Sequence, residues 1–359
     1  MPFASGAEVL SANPSLETVK RERLHSRLVG NFEYSYYQRR FDGARADVDR
    51  PGWHFTAAAF VPTQGGFEES TNISMPRVQV GTAVYTRRQP QEGVASTTGV
   101  ASTTGVASTT GVASTAEWAA FATFYRDRRE SAAVVDNTDS LEQPVDVTIA
   151  AFGGSYARIT PTSRGELDAV FWVAGESGDW YGQSHRAASL AVEVGHRWTS
   201  AAGKPWLRAG YLWASGDGDP DDDRHGTFFQ MLPSSRKYAL SSTYAQMNLT
   251  DAFVQAWFEP RGIKTRIEVH ALGLASGMDL WYQGSGATAS EGRYFGFSGR
   301  AAGAATRLGT ALEGAVDVPL KKFWSVNAYA GTMWGGDVVR HTFSGTRLTF
   351  WFLENVFRF

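Results

Sequence analysis

From Arg307 to Val318 the chain changes chemical character at every residue: Leu308, Thr310, Leu312, Gly314, Val316 and Val318 alternate with Arg307, Gly309, Ala311, Glu313, Ala315 and Asp317. Successive side chains of an extended strand leave opposite faces, so a period of two gives one oily and one wet face. A helix would scatter both sets around its axis. The same period recurs upstream in Ile263, Thr265, Ile267, Val269 and Ala271, set against Lys264, Arg266, Glu268 and His270. It recurs again in Ala188, Leu190, Val192 and Val194 against Ser189, Glu193 and Arg197. Leu207, Ala209, Tyr211 and Trp213, then Leu167, Ala169, Phe171 and Val173, then Val145, Val147 and Ile149, and Trp53, Phe55, Ala57 and Ala59 continue the series.

Repeated two-faced strands need a solvent for each face. Trp324, Val326, Ala328, Ala330 and Trp334 share one face with a Trp near each end, the placement expected of aromatic girdles at two membrane interfaces. The last stretch, Arg347 to Phe359, puts Trp351, Leu353, Phe357 and Phe359 on one face, interrupted by Asn355, and ends on an aromatic residue as bacterial barrels do. No run of about 18 apolar residues could cross a bilayer as a helix. Pro260 to Gly262, Leu320 to Lys322, Ser200 to Lys204 and Thr160 to Ser163 read as short turns, whereas 216–250 and 275–305 read as long loops. Short turns on the periplasmic side and long loops outside are the outer-membrane arrangement, and about 14 strands can be counted. The expected fold is therefore all-β, an antiparallel up-and-down transmembrane β-barrel in a bacterial outer membrane.

Composition closes off other classes. There is no cysteine, which removes disulfides, thiolate metal sites and thiol catalysis. Thirty-four Lys+Arg against 36 Asp+Glu leave a net charge of -2 and no basic stripe, so nucleic acid is not an expected partner. Met1 to Lys20 has no positive n-region followed by an apolar h-region, so a secretory signal was removed or belongs to a longer protein. Residues 1–25 are expected to be an irregular remnant and residues 26–359 the barrel. Within the barrel, Gly93 to Thr115 is a tandem of Gly-Val-Ala-Ser-Thr-Thr, a low-complexity insert with no charge, expected to be an expanded turn on the periplasmic side.

Several stretches in order carry a family likeness: Arg27-Leu-Val-Gly-Asn-Phe-Glu33, then Arg40-Phe-Asp-Gly-Ala-Arg45, Ala214-Ser-Gly-Asp-Gly-Asp-Pro220, Gly226-Thr-Phe228 with Tyr238, Asn248-Leu249 and Met333-Trp-Gly-Gly-Asp337. Between about Arg27 and Phe359 the chain resembles the alginate-export family of outer-membrane barrels. That resemblance implies a monomeric barrel of roughly 18 strands that exports an anionic polysaccharide through an arginine-rich lumen. It also implies several further strands and a signal peptide ahead of Arg27, and it marks the hexapeptide repeat as an insertion.

With the apolar faces turned to lipid, the lumen receives Arg27, Glu33, Arg45, Asp47, Glu166, Asp168, Glu193, Arg197, Arg208, Lys264, Arg266, Glu268, His270, Arg307, Glu313 and Asp317. Of the basic residues only Lys20, Lys204, Lys237, Lys264, Lys321 and Lys322 are lysine. A guanidinium fork binds a carboxylate at two points, which suits uronate groups passing in file. The competing reading is that these charges pair across the lumen and stiffen it. Asp217, Asp219 and Asp221, followed by Asp222 and Asp223, resemble the opening of a calcium loop in an extracellular segment, without the glycine and glutamate that complete one. No cofactor is expected beyond that candidate Ca²⁺. The expected partners are membrane lipid and lipopolysaccharide, an anionic polysaccharide or small anions, and periplasmic export partners. A general diffusion porin or a structural barrel of an envelope complex shares every strand-level feature. An enzyme is the weakest alternative, because the 7 histidines fall in no spacing that prescribes chemistry.

Overall fold

The computed structural model describes residues 3–32, 37–66, 69, 72–90, 114–130, 144–234, 243–283 and 298–358. Almost all the regular structure is antiparallel β. In chain order the strands are β1 (Phe41–Arg50), β2 (Trp53–Pro62), β3 (Val78–Pro90), β4 (Ser114–Asp127), β5 (Val147–Thr162), β6 (Gly165–Trp180), β7 (Gln183–Arg197) and β8 (Trp206–Ala214). They continue as β9 (Arg224–His225), β10 (Leu249–Phe258), β11 (Lys264–Gly273), β12 (Leu280–Gln283), β13 (Ser298–Ala301), β14 (Arg307–Lys321), β15 (Trp324–Gly335) and β16 (Arg347–Phe357). Among the described residues two α-helices accompany them, α1 (Pro14–Arg23) and α2 (Asp337–Thr342). Among the described residues no helix is long and apolar enough to cross a membrane.

One 14-stranded sheet runs β1-β2-β3-β4-β5-β6-β7-β8-β10-β11-β14-β15-β16, with β9 off this path and paired in parallel to the start of β7. Each neighbour on the path is also the next long strand in sequence, so the wall is an up-and-down meander as expected. The registers of the described residues pair β1 only with β2 and β16 only with β15. At one end the connections are brief, such as Pro51-Gly52 and residues 163–164. At the other they are long, 215–248 and 274–306, except for Tyr181-Gly182. There Tyr181 at φ 52° and Gly182 at φ 85° turn β6 tightly into β7, as a two-residue hairpin requires. The connection carrying the hexapeptide repeat joins β3 to β4 at the short-turn end, and its residues 91–113 lie outside those described.

The two faces of the wall invert the arrangement of a soluble protein. Val194 on the convex face of β7 is 51% exposed, whereas the adjacent Glu193 on the concave face is 2% exposed. Phe171, Leu207, Tyr211, Val254, Ile267 and Leu312 likewise point outward, while Arg208, Glu268 and His270 are buried inside. A continuous apolar exterior around a charged interior has lipid as its natural solvent.

Four features depart from the sequence expectation. Val145, just before β5, and Val147 and Ile149 on it are buried, not lipid-facing: they point into the interior, where Trp180 and Phe229 join the same apolar core. Periodicity separates two faces but does not say which medium each meets. Leu308, expected outside, is fully buried, because the register slips between Leu272 and Gly273 and one extra residue enters β14. That bulge aligns Arg307 with Gly273 on the outer side instead of placing it in the lumen. The N-terminal stretch expected to be irregular holds α1, whose start is fixed by Asn13: its side-chain oxygen accepts the Ser15 and Leu16 amides, and Pro14 follows.

Candidate functional site in the lumen

Helix α1 lies inside the barrel. Leu16 and Val19 are buried, Ser15 Oγ donates to Glu166 Oε2 on β6 (2.5 Å), and Lys20 Nζ donates to Glu117 Oε2 on β4 (2.6 Å) and to the Val9 carbonyl (2.9 Å). From the short-turn end, where β6 begins, the segment climbs through the lumen. Residues 28–30 meet the long loop after β8 near its other end: Leu232 N donates to Leu28 O (2.8 Å) and Gly30 N to Leu232 O (2.7 Å). The Gly226-Thr-Phe228 stretch leads this loop inward, burying Phe228, Phe229, Met231 and Leu232. Arg39 ties the junction, donating through Nη1 to the carbonyls of Gly30 (2.8 Å) and Leu232 (2.6 Å).

Glu193 is the electrostatic centre. It accepts Arg23 Nε at 2.5 Å, Arg27 Nη2 at 3.1 Å and Arg208 Nη1 at 3.0 Å. Arg208 also pairs with Asp168, whose other oxygen accepts Trp206 Nε1 at 2.8 Å. Three wall strands, β6, β7 and β8, and the threaded segment therefore share one buried ion network. Each cation also stands over an aromatic ring: Arg23 over Phe253 (4.7 Å), Arg27 over Trp172 (5.2 Å), Arg208 over Trp206 (4.8 Å) and, further along, Arg266 over Trp257 (5.7 Å).

The other expected lumen residues divide by position. Arg45, on the concave side of β1, forks onto Asp47 (2.7 and 2.8 Å) and donates to Glu8 O (2.9 Å). Arg266 reaches Glu268 (3.2 Å), which also accepts Gln255. His270 lies 3.0 Å from Asp251, which Tyr244 also contacts (3.1 Å), and Glu313 is buried on the same side. Arg197 sits at the short-turn rim facing Glu259 (3.8 Å), and Lys264 is exposed at that rim. Glu33 lies outside the described residues. Lys20, Arg23 and Glu117 were not among the expected residues. The Asn13-Pro14 start with Glu17 in the first turn is the signal that would have found the two basic ones.

In the long loop after β8, Asp217 accepts the amides of Asp219 (3.2 Å) and Gly226 (3.3 Å), and Asp219 accepts that of Asp221 (3.3 Å). Among the described residues no three histidine or carboxylate side chains converge as metal ligands would. Asp279, from the loop after β11, instead holds the two loops together. It accepts Asp217 N (2.8 Å), Thr227 Oγ1 (2.5 Å), Leu280 N (2.6 Å) and Tyr282 OH (2.9 Å). Burial pushes the Asp279 carboxyl above its ordinary range, and those donors pull against the rise. Burial, with His185 beside it, holds His225 well below the usual histidine value. Its ring stacks on Trp180 at 4.3 Å.

An all-β wall with a lipid-seeking exterior and an ionic interior defines a membrane β-barrel of the outer-membrane type. The sequence profile of the alginate export family matches residues 20–351, nearly the whole length, and the chain belongs to that family. It is a family of polysaccharide transport channels and not of enzymes. Among curated proteins no match was found.

Proposed function

We propose that the chain is an outer-membrane channel through which an anionic polysaccharide passes. The family match is the observation that carries this reading. The interior chemistry supports it, since the guanidinium of Arg266, partly exposed beside the Trp257 ring, matches what a uronate sugar presents. The fork takes the carboxylate, and the ring packs on the apolar C–H face of the pyranose. Net charge over the whole chain does not decide selectivity, because the potential inside a narrow low-dielectric passage is set by the groups lining it. Asp217 to Asp223 lie out on a loop and add little there.

Reversal potentials in a planar bilayer under a salt gradient test the proposal. Anion preference is expected in the parent, weakened in an Arg208→Ala, Arg266→Ala variant, and uronate oligomers should block where neutral sugars do not. A cation-selective parent would defeat the exporter reading in favour of a general porin.

A further inference from the structure

Resting on that channel reading, we propose that residues 3–32 are a displaceable plug, released when a polyanion takes over Lys20, Arg23 and Arg27 from the carboxylates of the wall. These cations are the segment's charged attachments to two strands, Lys20 to Glu117 on β4 and Arg23 and Arg27 to Glu193 on β7. Each bond is a cation from the plug on an anion from the wall, the sense in which an incoming carboxylate competes. The wall tolerates the exchange, because Arg208 stays on Glu193 and Asp168 after the plug's guanidiniums leave.

Packing between plug and wall leaves small gaps where the plug crosses β3, β4 and β5. Two cavities of about 20 Å³ lie there, one bordered by Ser5, Leu24, Thr82 and Ser155 and the other by Val9, Lys20, Thr86 and Ala157. Each is large enough to hold a water. Thr82, Thr86 and Ser155 line this seam alongside larger wall side chains such as Phe121 and Trp172. Of the two mouths, the short-turn end exposes α1 first, so a polymer arriving there meets Lys20 before Arg23 and Arg27.

A chain without cysteine permits a direct test. Ser26 is fully buried in the plug and its hydroxyl has no hydrogen-bond partner, so Ser26→Cys is a mild change that creates the sole thiol. Labelling by a membrane-impermeant thiol reagent, with the protein in lipid vesicles, reports plug displacement. Labelling should be slow in salt alone and about tenfold faster with uronate oligomers, within the usual range of coupling between sites. Neutral oligomers should leave it slow. Adding Lys20→Gln and Arg23→Gln should speed labelling without any polymer. Fast labelling from the outset, or rates unmoved by both the oligomer and the charge removal, would overturn the plug. Ion selectivity does not enter this readout. A cation-selective pore whose thiol responds to charge removal would sink the exporter reading and leave the plug standing, whereas an anion-selective pore with an unresponsive thiol would do the reverse.

Discussion

Replacing Glu193 with Gln keeps the side chain's shape and removes only its charge, so the cost isolates the electrostatics of the network. The Glu193 side chain is fully buried, and the side chains of Arg23, Arg27 and Arg208 around it are 2%, 1% and 0% exposed, so solvent screening takes away little. With the charge gone, three buried guanidiniums share Asp168 as the remaining anion of this network. Removing one partner of a buried ion pair costs about 3–5 kcal/mol, and the isosteric change adds no cavity. At an m-value of roughly 1–3 kcal/mol per molar urea, the unfolding midpoint should fall by more than about 1 M. Urea unfolding in detergent micelles, followed by tryptophan fluorescence, measures it through Trp172 and Trp206 beside the network. Arg208→Gln combined with Glu193→Gln should cost less than the sum of the two, because the pair shares one interaction. A Glu193→Gln unfolding free energy within about 1 kcal/mol of the parent, or strict additivity, would refute the idea of a single coupled network.

Three further outcomes are expected. Spin labels at Leu312 and Ile267, 40% and 46% exposed on the convex face, should show the oxygen accessibility of a lipid environment, and values typical of a water-facing site would contradict the barrel. Removing two of the repeated hexapeptides between Gly93 and Thr115 should leave insertion yield unchanged, because connection length costs only about 0.6 kcal/mol per doubling; a chain that no longer inserts would show that the repeat has a role in assembly. His225 has a folded pKa held below the ordinary 6.5, so its contribution to stability is present above that value and lost as pH falls through the lower folded one. With His185 Nδ1 at 2.8 Å and Glu176 beyond it, acidification should loosen the stack on Trp180, visible as a fluorescence change that His225→Phe abolishes.

The wall was legible in the sequence wherever one face meets lipid and the other meets charge. Val192 and Val194 against Glu193, or Ile267 and Val269 against Glu268, leave little choice of strand or side. Legibility failed where the interior is itself apolar. Val147 and Ile149 alternate as cleanly as any, yet they belong to a buried apolar cluster shared with Phe229, which a loop distant in sequence brings inward. A single inserted residue at Leu308 was equally invisible, since alternation on either side of a bulge looks continuous and only the partner's register reveals the slip. Alternation put Asp168, Glu193, Arg208 and Glu268 on the inner side of β6, β7, β8 and β11, where they are buried, but it did not give their partners. Nothing in the order Arg23, Arg27, Glu193, Arg208 says that the first two approach from a segment threaded inside the barrel, Arg23 at the end of its helix. Helix α1 lacks a broad apolar stripe because it lies in a polar cavity, where Lys20 and Arg23 are as buried as Leu16 and Val19.

Setting β9 aside, the 14-stranded sheet leaves thirteen staves that alternate in direction, so the first and the last, β1 and β16, ascend in the same sense. Brought edge to edge they would join in parallel, by slanted bonds slightly weaker per residue than those of the antiparallel pairs elsewhere in the wall. Nor would a short hairpin turn tether them, as turns tether β1 to β2 and β14 to β15. The two staves are also mismatched in character. β16 is apolar on both sides, with Leu348, Phe350 and Phe352 inward and Trp351, Leu353 and Phe357 outward, whereas β1 carries Arg45, Asp47 and Asp49 on its inner side. A cylinder parts along its weakest stave joint, and a joint between these two would set an oily bank against an ionic one.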